Sequence, residues 1–180
     1  QAYLTWANLI PDKQRADLGN VFDGGFELPM EEQIAPFGWL IQVVDGAQVS
    51  LFSTGGTLGE NSLYVEFEGR RTPFAHVSQT LALPSGQWQL SFRAKAERLE
   101  NIRGLVWRVV CQNTGNTLMD SEPMRGQFNW KEWQTAFSVP ENCPGQRLIL
   151  MIPARIEAET LINGSIWIDD VKIQRVDGDM

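Results

Sequence analysis

Between residues 87 and 97 the chain alternates strictly, with Trp88, Leu90, Phe92, Ala94 and Ala96 on one side and Gln89, Ser91, Arg93, Lys95 and Glu97 on the other. A period of two is that of a strand with one buried face. Short apolar runs of the same texture, punctuated by Gly, Pro and Asn, continue from Asn20 onward. They predict strands over roughly 38–44, 47–53, 62–68, 74–83, 87–97, 103–112, 130–139, 146–153 and 164–175. Pro84-Ser85-Gly86, Asn113-Thr114-Gly115-Asn116 and Pro144-Gly145 supply turns between them, through the preset φ of Pro or the permissive φ of Gly. No 3.6-residue pattern exceeds two turns after residue 20. Strands at this spacing predict an all-β fold, a β-sandwich of two antiparallel sheets, with a jelly roll ahead of an immunoglobulin-type arrangement.

Residues 1–19 differ. Tyr3, Leu4, Trp6, Leu9 and Ile10 fit one helical face that Pro11 would interrupt, so this is expected to be a lead-in segment, with the jelly-roll module spanning 20–180. The chain starts at Gln1 without an initiator Met, a charged region or an apolar leader, which suggests a piece of something longer. At 180 residues and 43% hydrophobic, the length suits one globular domain. The apolar stretches are far shorter than the ~20 residues of a spanning helix, so no membrane span is expected in this chain. Fifteen basic against 22 acidic residues, net −7, with no basic run, argue against nucleic acid as a partner.

Catalytic chemistry finds little to work with. His76 is the one histidine and alternates with Val77 in a strand pattern, which reads as a half-exposed strand residue rather than a base with an orienting partner. The paired acids Glu31/Glu32, Glu97/Glu100 and Glu157/Glu159 fall in loop-like positions, not in a compact glycosidase motif. The expectation is a protein that is not an enzyme. Cys111 ends an apolar strand and Cys143 lies in a Pro/Gly loop. They form either one disulfide, worth about 3–4 kcal/mol in the chain-entropy picture, or two separate buried thiols. A bridge would imply an oxidising compartment.

Asp169 and Asp170 interrupt a final strand that is otherwise apolar on both sides, so at least one should point inward. A buried carboxylate needs a partner. Glu27, expected in a first strand, is a natural co-ligand if the chain ends meet, and hard carboxylate oxygens beside a Gly-rich turn suit calcium. The competing reading is a carboxylate that accepts backbone N–H bonds at a β-bulge.

PheAspGlyGlyPheGlu at 22–27, GlyTrp at 38–39, GlyAla at 46–47, SerLeuTyrVal at 62–65, ValSerGlnThrLeuAlaLeu at 77–83, GlyGlnTrpGlnLeuSerPheArgAlaLys at 86–95 and IleTrpIleAspAspValLysIle at 166–173 occur in this order. The sequence over about 20–176 thereby resembles galactose-binding-like jelly rolls, a group that includes the carbohydrate-binding modules attached to xylanases and related glycanases. The resemblance implies a structural calcium near the first and last strands, with Glu27 and Asp169 or Asp170 at it, and a glycan groove on the concave sheet or at the loop edge. From the lead-in onward the chain also resembles C-terminal regions of bacterial envelope proteins that carry a tetratricopeptide array. That implies an extracytoplasmic module, in the periplasm or cell envelope, with other envelope proteins as partners through the rest of such a chain.

Sugar binding uses flat aromatic faces with nearby polar side chains. Trp88 and Trp167 alternate in step with core residues and read as structural, and Trp39 as a plug at one end of the sandwich. Trp107 lies in a run apolar on both sides and faces either the core or the ligand. The family pattern makes Trp133 a core residue and leaves Trp130 nearer the surface. Arg93 and Lys95, with Arg108 and Arg155 reaching the same face, complete the expected ligand set of Arg93, Lys95, Trp107, Arg108, Trp130 and Arg155. The expected function is non-catalytic recognition of a cell-envelope or exported polysaccharide or oligosaccharide. The alternative is a scaffold sandwich that binds protein and not sugar.

Overall fold

The computed structural model of the chain describes all residues except 16, 17, 54–56, 58 and 177–180, and gives only the backbone of Lys13. Ten strands are formed among the described residues: β1 (Leu40–Ile41), β2 (Ala47–Phe52), β3 (Ser62–Arg71), β4 (Val77–Leu81), β5 (Gly86–Glu100), β6 (Val106–Cys111), β7 (Thr117–Asp120), β8 (Gly126–Val139), β9 (Gln146–Met151) and β10 (Leu161–Arg175). The first sheet runs β1-β4-β9-β6-β7 and the second β2-β3-β10-β5-β8. Their pairings are antiparallel throughout. This is the two-sheet sandwich that the alternation requires, because each sheet has one apolar face to hide and hides it against the other.

Trp88, Leu90, Phe92, Ala94 and Ala96 are buried on β5, as their spacing demands, and meet Leu63, Val65, Trp107, Leu148, Ile166 and Ile168 in one core. The strand missed by the sequence reading is β7. Four residues after a turn carry too little alternation to be recognised, and what makes Thr117–Asp120 a strand is its pairing with β6 at the sheet edge. Cys111 and Cys143 are joined in a disulfide, Cα to Cα 5.7 Å, which ties the end of β6 to the loop before β9.

The lead-in folds as a short helix α1 (Ala2–Ala7) and a single turn α2 (Asp12–Arg15). Its apolar residues do not share one face. Trp6 and Ile10 pack with Phe22 and Phe37 in a second small core, and the Trp6 indole donates to the Ile34 carbonyl at 2.8 Å. Leu4 and Leu9 stay exposed. Residues 20–27 are a bend, a turn over 22–25 and irregular chain at 26–27, so Glu27 does not lie in a strand as expected. Even so, the chain ends converge. The Asn20 amide donates to Ile173 O at 2.8 Å, and Val171 N donates to Gly24 O at 2.9 Å. Gly24 sits so close to the Val171 carbonyl that a β-carbon there would overlap it, which is why the turn carries glycine at this point.

Candidate functional site

On the first sheet, β4, β9 and β6 send every second side chain outward. The register places Leu40, Ser78, Ile149, Arg108 and Asp120 in one row and Thr80, Arg147, Val110 and Thr117 in the next. Arg147 donates to Ser78 Oγ at 2.9 Å, and Arg108 grips Asp120 through two bonds of 2.6 and 2.7 Å. Beside these rows lies a groove of about 460 Å³, lined by Pro36, Leu40, Gln42, Thr80, Gln112 and Arg147 among others. Guanidinium, amide and hydroxyl groups together offer donors and acceptors at several angles, the set a hydroxyl-rich ligand requires. Ser78, Thr80, Gln112 and Arg147 were not singled out from sequence. The signal was available, since Arg147, Ile149 and Met151 alternate with buried Leu148 and Leu150 along β9.

Trp107 does not join this face. It is wholly buried, 5.7 Å from Trp39 and 6.4 Å from Phe92 between ring centres. Alternation along β6 gives the outward position to Arg108, so the expectation that Trp107 touches ligand is corrected. Arg93 and Lys95 are on the outer face of the second sheet, where β5 carries them, and not beside Arg108. Trp130 is half-buried on β8, the strand at the edge of the second sheet. Arg155 is exposed in the loop after β9, its amide donating to Glu159 Oε2 at 2.7 Å. Arg103 binds the same carboxylate at 2.7 Å and, with the Arg155 amide, pulls its pKa down to about 2. The six expected ligand residues are therefore divided among two sheet faces, the core, an edge and a loop.

Trp167 is a further correction. Ile166 and Ile168 take the inward positions on β10, so Trp167 points out and is half-buried beside Tyr64, ring centres 4.8 Å apart. Trp133 is half-buried at the margin of the core, parallel to Phe92 at 6.1 Å.

Where the chain ends meet, two carboxylates reach for the same stretch between β2 and β3. Glu27 Oε1 accepts the amides of Glu60 and Asn61, both at 2.9 Å. Gly59, at φ +79°, lies against the Glu27 carboxylate where a side chain would collide with it. Asp169 is fully buried. Its Oδ2 accepts from the amide of Thr57 and from the Thr57 hydroxyl at 3.0 Å, and its Oδ1 from the Asp170 amide at 2.6 Å. Asp170 sits at a register shift of β10 with φ +53° and is paired with Lys172. The bulge geometry is the competing reading of the Asp-Asp pair. In this structure Glu27 Oε1 and Asp169 Oδ2 are taken by N–H and O–H donors of that loop, and Asp170 is turned to Lys172 instead of joining them. Among the described residues no three acidic, histidine or cysteine side chains gather to hold a metal by themselves.

Asp23, in the same turn, accepts the Glu27 amide at 2.8 Å and the Gln33 amide group at 2.7 Å. Burial outweighs these bonds and pushes its pKa up to about 6. His76 accepts the Ala75 amide at Nδ1, and burial lowers its pKa.

No known protein family matches the sequence, and no curated protein is similar to it. Solved structures are similar in three dimensions. One described as "CBM4 structure and function" superposes with a TM-score of 0.62 at 15% identity, covering 87% of this chain and 99% of that one. The CBM22-1 xylan-binding domain from Paenibacillus barcinonensis Xyn10C gives a TM-score of 0.55 at 15% identity, covering 87% and 94%. TmCBM61 in complex with β-1,4-galactotriose gives 0.55 at 18% identity, covering 88% and 100%. The chain is a jelly-roll β-sandwich. Such identities establish the arrangement of strands and leave the ligand to the residues themselves.

Proposed function

We propose that the chain is a non-catalytic carbohydrate-binding module whose polysaccharide lies along the groove on the outer face of the first sheet. The observation that carries the reading is the gathering of Arg147, Ser78, Thr80, Gln42 and Gln112 at that groove, on a fold shared with a xylan-binding domain and a module complexed with galactotriose. Polar side chains that already hydrogen-bond one another can exchange partners for sugar hydroxyls at small net gain, so affinity is modest. A non-catalytic role is supported by the lining of the groove, which among the described residues carries no carboxylate, histidine or cysteine to act as acid, base or nucleophile. Retention on xylan, β-1,4-galactan and a panel of bacterial polysaccharides tests this. Arg147→Ala should weaken retention about tenfold, the loss of one or two hydrogen bonds to a charged donor. A flat response of the intact protein to every polysaccharide would overturn it.

The same reading extends to calcium, for which Glu27 and Asp169, with carbonyls of the loop, are the oxygens that would take the ion. A rise in melting midpoint with calcium that a chelator reverses supports this, and an unchanged midpoint refutes it. An extracytoplasmic location, in periplasm or envelope, is supported by the disulfide. Among the described residues no helix is long and apolar enough to cross a membrane. Attachment to a tetratricopeptide envelope protein belongs to the same proposal and rests on the sequence resemblance alone.

A further inference from the structure

The groove leaves the outer face of the second sheet without a role, and that face is built unlike an ordinary solvated one. The register puts Ser50, Tyr64, Trp167 and Lys95 in a single row across β2, β3, β10 and β5. Phe52 leans on both rings, 5.4 Å from Tyr64 and 6.2 Å from Trp167 between centres, and is 39% exposed. The adjoining row is polar across the same four strands: Gln48, Glu66, Ser165 and Glu97. The two rows are fastened together. Tyr64 Oη and Ser165 Oγ share a hydrogen bond of 3.1 Å, and Lys95 Nζ lies 4.7 Å from the Trp167 ring centre and 3.1 Å from Glu97 Oε1.

We propose that Phe52, Tyr64 and Trp167 form a second carbohydrate platform that takes a neutral pyranose, with its hydroxyls turned to the row of Gln48, Glu66, Ser165 and Glu97. The ring planes lie 46°, 82° and 40° apart pairwise, so the sugar stacks by its apolar face on one exposed ring of the cluster, with the other two rings at its edge. An aromatic row beside a row of acceptors matches the two sides of a pyranose, and the parts are held in place before binding, which lowers the ordering cost. The charges set the selectivity. Glu66 and Glu97 accept hydroxyl protons but repel a carboxylate, and Lys95, the cation at the platform, is already engaged by Glu97 and the Trp167 ring, so uronic acids are rejected. A protein interface keeps charge out of its core, whereas here the row beside the rings is polar and carries Glu66 and Glu97, which argues against a protein occupant. The platform shares its ligand class with the groove and rests on that reading for it, but the two sites lie on opposite faces of the sandwich and are separable.

The test measures retention of the whole chain on xylan, β-1,4-galactan and polygalacturonate for wild type, Arg147→Ala, Trp167→Ala and the sheet-edge variant Phe52→Ser, with melting midpoints recorded for each. The expected result is at least a tenfold loss on a neutral polysaccharide in both Trp167→Ala and Phe52→Ser, additive with Arg147→Ala, and weak retention of polygalacturonate throughout. If Trp167→Ala unfolds, Phe52→Ser alone decides. Loss in the platform variants without loss in Arg147→Ala supports the platform and removes the groove. Loss confined to Arg147→Ala, with both platform variants folded and unchanged, overturns the platform and leaves the groove standing. Preferential retention of polygalacturonate by an intact platform, or no retention of any polymer by wild type, also overturns it.

Discussion

The two outer faces of the sandwich obey the same alternation and carry opposite chemistry. On the first sheet the outward positions hold Arg108, Arg147, Ser78 and Thr80 among half-buried aliphatics, beside a groove walled by the segment before β1. On the second they hold Phe52, Tyr64 and Trp167 next to Glu66 and Glu97, an aromatic platform in place of a groove. The supports differ as well. The second sheet is built on β5, β8 and β10, strands of 14 or 15 residues, whereas no strand of the first exceeds six residues and a disulfide closes it. What the contrast teaches is that the inward half of each strand answers to the shared core, while the outward half is free to vary and is where ligand recognition can be written.

The largest perturbation that bears on this contrast is Trp107→Ala. If the side chain belongs to the core and to neither face, the substitution costs about 3–5 kcal/mol in chemical denaturation. A stable variant with altered polysaccharide retention would put Trp107 back on the binding surface. Removing the bridge with Cys111→Ser and Cys143→Ser comes next, at about 3–4 kcal/mol. Hydrogen exchange should then rise in β6 and β9 before β5 and β10, and uniform loosening of both sheets would show that the first is not the more dependent one.

Asp23 sharpens the comparison at the seam where the chain ends join the two sheets. Its folded pKa of about 6 lies above the ordinary 3.8, so the native state holds a proton that the unfolded chain has released between those values. Its contribution, on the order of 2–3 kcal/mol, is full below about pH 4 and is lost as pH rises through 6. Asp23→Asn should flatten that slope in a series of denaturation curves. Glu159, pulled down to about 2 by Arg103, acts in the opposite sense and in another window, its contribution present above about 4.5 and fading as pH falls toward 2. The smallest effect is expected at Asp120→Asn, which opens a partly exposed ion pair and costs at most about 1 kcal/mol of stability. A change in polysaccharide retention without a change in midpoint would show that Arg108 faces ligand.

Much of the sandwich was legible because burial enforces alternation. β5 could be read residue by residue, and eight further strands were placed near their observed positions. The two misplaced tryptophans share one physical cause. In Ile-Trp-Ile both neighbours of Trp167 are apolar, and around Trp107 the run Leu-Val-Trp is broken only by Arg108, so hydrophobicity alone says little about which side of the strand is inside. The register then put Trp167 out and Trp107 in, because Tyr64 and Lys95 flank the first and Arg108 claims the outward place beside the second. The ligand set was misassembled for a related reason. Arg93 and Arg108 have the same chemistry and similar strand contexts, and only the strand order, which places β5 and β6 in different sheets, separates them.

The sequence alone determined that the chain would form strands, that their apolar sides would make one sandwich core, and that one carboxylate of the Asp169-Asp170 pair would be buried and need partners, because period, turn chemistry and the cost of a buried charge are local properties. Tertiary structure decided which face each tryptophan serves, that Glu27 and Asp169 clasp one loop while Asp170 turns to Lys172, and that a polar groove and an aromatic cluster stand on opposite faces of the sandwich. Those outcomes depend on which strands become neighbours, and strand pairing is settled by the competition of whole faces for burial, not by any residue's own preference.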